Sequence, residues 1–120
     1  MPRYPGDEPA GAVAAALAPY VWRDLTDRML ARCAIGAVDR YAVDQFLRQV
    51  PGTVAGSPGP PAPADPDDER VSVLVTVLDG HQWRRWSLDR LSAHLLAGLR
   101  AWRDRQDAVE TALRRLLDER

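Results

Sequence analysis

The chain contains no lysine and no asparagine, and all sixteen of its basic residues are arginine. With abundant alanine, proline and aspartate, this is the usage a GC-rich bacterial genome imposes, so the number of arginines carries no message by itself. The single cysteine, Cys33, excludes an internal disulfide and a cysteine-built metal centre and fits a reducing cytosol. Metal sites normally draw on three or four ligands, and the two histidines, His81 and His94, have no further Cys or His to complete one. No long apolar run is present. Ala12–Ala18 is too short and too weakly apolar to span a bilayer, and no basic leader precedes an apolar core at the N-terminus. The expectation is a cytoplasmic protein with no cofactor, no metal and no membrane contact.

Charge of one sign is also lacking. The net charge is −1, which gives no overall drive toward nucleic acid or anionic lipid. The distribution is uneven, with seven Arg against ten acids in residues 1–70 and nine Arg against seven acids in residues 71–120. Between His81 and Arg105 there are six Arg and two Asp. At 120 residues the chain makes one small domain, whose stability a partner interface would usefully raise.

What the sequence does contain is a strong C-terminal helical pattern from Ser87 to Arg120. Leu88, Leu95, Trp102, Val109 and Leu116 recur every seventh residue, with Leu91 and Leu99 beside them. Such a seam favours packing along another helix. At 1.5 Å per residue the helix is roughly 46 Å long, more than a compact domain of about 13–14 Å radius of gyration covers by itself. A second copy of the chain, or another partner helix, is the expected cover. The second seam line three residues on (Gly98, Arg105, Ala112) is half-filled, which favours a short antiparallel pair or a four-helix arrangement over a long uniform coiled coil. Gly98 and the capping-box sequence Asp107–Glu110 leave open whether the helix is continuous through Arg103–Asp107.

The remaining chain reads as follows. Residues 1–50 are an N-terminal helical segment: an Ala-rich helix ended by Pro19, then two amphipathic helices over Val21–Ala34 and Arg40–Val50. Gly36 is placed as the C-cap between the latter two and Asp39 as the next N-cap, giving a helical hairpin. Residues 51–70, rich in Pro, Gly and Asp, read as a disordered tether. In residues 71–120, the β-branched run Val71–Leu78 is the one clear strand. Asp79-Gly80 then reads as a two-residue hairpin turn, with His81–Trp86 returning antiparallel. No internal repeat stands out. The expected fold class is α+β, mostly helical, with an N-terminal helical hairpin, a Pro-rich tether, a β-hairpin and a long C-terminal helix.

No catalytic constellation emerges. Cys33 lies on an apolar helix face and reads as a buried thiol. The preferred function is a non-catalytic interaction or assembly module, a homodimer formed through Leu88, Leu91, Leu95, Leu99, Trp102 and Val109, with Trp102 as its anchor. A second reading is a small DNA-binding regulator of winged-helix type, in which Arg84, Arg85 and Arg90 meet phosphate while Trp83 and Trp86 stack on bases. Its weakness is that Ala31–Gln45 matches a helix-turn-helix poorly. A third is an accessory subunit that completes an enzyme's site.

Overall fold

The computed structural model describes residues 9–50 and 61–119. Among these there are four α-helices, two single 3-10 turns and no strand, so the protein is mostly helical. The helices are α1 (Pro9–Leu17), α2 (Asp27–Arg48), α3 (Glu69–Leu78) and α4 (Leu88–Asp118), with the 3-10 turns at Trp22–Asp24 and Trp83–Arg85.

The expected β-hairpin is absent, and the α+β class is corrected accordingly. Val71–Leu78 forms most of α3. Its polar residues Ser72 and Thr76 are four apart and exposed, while Val71, Leu74 and Leu78 are buried on the opposite side. That is helical periodicity hidden inside a β-branched run. Asp68 supplies the start signal, its carboxylate accepting the Arg70 backbone N–H at 2.9 Å. Valine's helix disadvantage is a few tenths of a kcal/mol per residue, far less than burial of this face returns. Asp79-Gly80 is a turn, but of another kind. His81 N–H donates to the Leu78 carbonyl at 3.1 Å, Asp79 has φ −62° and ψ 136°, and Gly80 has φ 82°. These are the angles of a type II turn, which needs glycine at its third position as a primed hairpin turn also does. His81–Trp86 accordingly leads into a 3-10 turn and not a return strand.

The N-terminal helical hairpin is likewise corrected. α2 is one uninterrupted helix of 22 residues, capped by Thr26, whose hydroxyl accepts Met29 N–H at 3.1 Å. Gly36 lies in its middle and serves close approach instead of termination: a Cβ there would run into the Ala62 carbonyl. Of the expected tether, residues 51–60 lie outside the described residues. Residues 61–68 form a strap laid antiparallel along α2. Ala64 N–H donates to Arg32 O at 2.9 Å, Arg32 Nε donates back to Ala64 O at 2.7 Å, and Arg28 reaches Pro66 O at 3.4 Å. Asp39, expected as a cap, sits within α2 and receives a two-pronged bond from Arg70 at 2.8 Å on each oxygen. Arg70 also grips Asp68, and these bonds hold the Asp68 carboxyl below the usual carboxylate range.

The chain is built as a structural repeat that its residue identities do not announce. Residues 9–48 and 69–118 each form helix, 3-10 turn, capping hydroxyl and longer helix, offset by 61 positions. Trp22-Arg23 matches Trp83-Arg84, Leu25 matches Trp86, Thr26 matches Ser87, and Leu30 matches Leu91. The caps agree in detail, with Ser87 accepting Arg90 N–H at 3.2 Å as Thr26 accepts Met29 N–H. Buried positions repeat too: Val13 with Leu74, Leu17 with Leu78, Ala34 with Leu95. α1 and α3 each pack on both α2 and α4, so the two units share one core around a pseudo-two-fold axis.

α4 outgrows that core. It runs without a break for 31 residues, and from Arg100 onward only Trp102 is partly covered. The radius of gyration is 16.2 Å, against about 14 Å for a compact chain of this length.

Candidate interaction surface

At one end of the pseudo-two-fold the two Trp-Arg turns lock together. Arg23 Nε donates to Arg84 O at 2.9 Å and Arg84 Nε donates to Arg23 O at 2.9 Å. Their terminal nitrogens reach the next matched pair of carbonyls, Trp86 at 3.3 Å and Leu25 at 3.0 Å. Each guanidinium also lies over its own tryptophan, at 4.2 and 4.1 Å, and the Trp22 and Trp83 rings stack at 6.5 Å. This arrangement governs the residues suggested for nucleic acid. Trp83 is 2% exposed and offers no ring to a base. Arg84 spends its donors inside the protein, and Arg90 lies over the half-buried Trp86 at 4.4 Å. Arg85 is exposed.

His81 and His94 do meet, edge to ring at 5.0 Å, with Trp86 completing an aromatic cluster. His94 Nε2 is 3.0 Å from the Val77 carbonyl, which ties the ring to α3. No group of three or more His, Cys, Asp or Glu among the described residues is placed to hold a metal ion. Cys33 is buried, and burial pushes its thiol pKa up, away from the reactive thiolate. No helix among the described residues is long and apolar enough to cross a membrane.

At the other end of the axis α2 and α4 leave a groove of about 450 Å³. Its lining comes in matched pairs: Val38 with Leu99, Tyr41 with Trp102, Asp39 with Arg100, Ala42 with Arg103, Pro9 with Arg70. The floor is apolar, and the α4 side carries Arg100 and Arg103 on its rim. Neither makes an ion pair or hydrogen bond with another described residue.

The seam on α4 is a true two-line stripe once its second line is set four residues after the first. Ser92, Leu99, Gln106 and Leu113 then interleave with Leu88, Leu95, Trp102, Val109 and Leu116 in the 3-4 alternation of a helix-packing seam. This line too is half apolar, with Leu99 and Leu113 alternating with Ser92 and Gln106, and it adds Leu113 to the residues of the seam. The protein's own core uses the first half. Leu91, Leu95 and Leu99 are buried and Leu88 is half-buried against the other unit, so these side chains are spent within the chain. Trp102 stands at the transition, half-buried in the groove. Beyond it Val109, Leu113, Leu116 and Leu117 are 54–66% exposed. The reason is length: α2 ends at Arg48, the counterpart of Val109, so α4 outruns the helix it is matched with.

No protein-family model, curated protein or solved structure matches the chain.

Proposed function

We propose that this protein is a non-catalytic interaction module that self-associates through the free half of α4. The observation that carries this reading is the stripe itself. One seam is core-forming from Leu88 to Leu99 and continues in the same register, uncovered, through Val109, Leu113 and Leu116. Three large apolar side chains aligned on a projecting helix, with Leu117 beside them, leave water only by meeting another apolar surface. A second copy offers the same stripe, and a closed two-fold pair buries both at once. The nucleic-acid reading has less support. Trp83 and Arg84, two of its principal residues, hold the two units of the chain together.

The test is sedimentation equilibrium on the wild type and on Leu113→Asp, which sets a carboxylate in the middle of the stripe. The wild type should dimerise. The variant should keep its thermal midpoint at low concentration and lose about thirtyfold or more in association, the effect of about 2 kcal/mol at a central anchor. A wild type that stays monomeric at high micromolar concentration would overturn this function.

A further inference from the structure

The groove and the free stripe lie on one continuous surface, joined at Trp102, and the charges along it change sign. The groove belongs to the basic segment between His81 and Arg105, with Arg100 and Arg103 at its rim. The free end, residues 106–120, carries the four acids Asp107, Glu110, Asp118 and Glu119 against the three arginines Arg114, Arg115 and Arg120. Resting on the self-association proposed above, we infer that two chains pair with their α4 helices antiparallel, the acidic tip of each seated in the basic-rimmed groove of the other.

The register follows from the seam. Antiparallel helices set one line of the seam against the other, so Gln106 meets the partner's Val109, Trp102 meets the partner's Leu113, and Leu99 meets the partner's Leu116. That register covers the apolar stripe and fills both grooves. The C-terminal half of α2, which lines the groove, flanks the partner helix and makes the centre of the dimer a four-helix arrangement. The residues that follow Trp102 and Val109, Arg103 and Glu110, lie on one flank of the seam. In the antiparallel pair they face each other twice, Arg103 to the partner's Glu110 and the reverse. Glu110 also meets Arg114 of its own helix at 2.7 Å, a surface pair with both side chains at least 60% exposed, which leaves the carboxylate free to be shared. A parallel in-register pair does neither: it leaves the grooves unfilled and brings the two basic rims together. Its cross-helix charge pair would be Arg105 with the partner's Glu110.

Charge reversal separates the two geometries in the full-length chain. Arg103→Glu and Glu110→Arg should each weaken the dimer about tenfold at low salt, because each replaces two attractive contacts by two repulsive ones. The double variant Arg103→Glu/Glu110→Arg should return to within a few-fold of wild type. Arg105→Glu/Glu110→Arg should stay weak. All three substitutions are at exposed positions, and far-UV circular dichroism checks that the fold is kept. Recovery by the Arg105 double variant in place of the Arg103 one would overturn the antiparallel pairing and leave self-association standing. A wild type that does not associate overturns both. Nitroxides attached at Asp118→Cys in a Cys33→Ala background give an independent reading. Antiparallel helices place the labels roughly 30 Å apart along the axis at 1.5 Å per residue, whereas parallel helices place them side by side, which would overturn the inference.

Discussion

Gly36 illustrates how one residue type supports opposite readings. A glycine between two amphipathic stretches signals a helix end, because it tolerates the left-handed angles that helix ends use. Here it is helical, and what it provides is the missing Cβ that lets the strap carbonyl of Ala62 approach α2. Only the strap's position distinguishes the two roles, and no local sequence pattern contains that position. Replacing a mid-helix glycine by alanine ordinarily gains about 1 kcal/mol. Gly36→Ala should instead lose about 1–3 kcal/mol. Its methyl must displace backbone, and lifting the strap breaks the paired bonds between Arg32 and Ala64. Gly98→Ala is the control. Its added Cβ meets side-chain methyls of Val77 and Leu74 at 2.9–3.3 Å, which yield more readily than a carbonyl, so it should be markedly milder. Urea unfolding of the two variants decides the matter. A Gly36→Ala protein as stable as wild type would mean that the strap does not rest there.

At the scale of elements, the long C-terminal helix and its capping serine were legible because their signals are local: a seven-residue recurrence and a hydroxyl just before it. α3 was not, because a short run of β-branched residues reads alike for strand and buried helix, and what selects the helix is the burial of Val71, Leu74 and Leu78 on one face of it. The repeat was harder still. Its two copies share a Trp-Arg pair, a capping hydroxyl and two buried leucines, and little else in residue identity. The similarity lies in hydrogen bonds, which a sequence does not display. The matched turns make a quantitative expectation possible. Arg23→Ala removes donors to the Arg84 and Trp86 carbonyls, and Arg84→Ala removes donors to the Arg23 and Leu25 carbonyls. Each variant also loses a cation–π contact of nearly the same length. The two should therefore destabilise by similar amounts, about 1–2 kcal/mol each, since hydrogen bonds from charged groups contribute somewhat more than neutral ones and surface exposure reduces that. Denaturant titration of both variants provides the check. If only one of them mattered, the pseudo-two-fold would be a resemblance of shape without a shared energetic role.

The whole molecule is a compact two-unit body with one helix continuing past it, and the two parts should respond differently to dilution. Amides of α4 up to about Leu99 lie in the shared core, so their protection from hydrogen exchange reflects unfolding of the body, whatever the concentration. Those from Val109 to Leu116 lie on a helix that the body nucleates but does not pack. An unsupported helical end adds only about one hydrogen bond per residue and frays from its tip. A partner helix adds burial, so protection there should rise with protein concentration by the mass-action term RT ln(1 + [L]/Kd). Exchange measured well below and well above the dimer midpoint should slow at Val109–Leu116 and stay constant at Leu91–Leu99. The amides of α2 from Val38 to Gln45 add a third comparison. They border the groove, so seating of a partner's tip should protect them together with the end of α4. Concentration-dependent protection of the α4 end alone would mean that the helices pair while the groove stays open. Protection independent of concentration at every position would show that the free stripe finds no second copy to cover it.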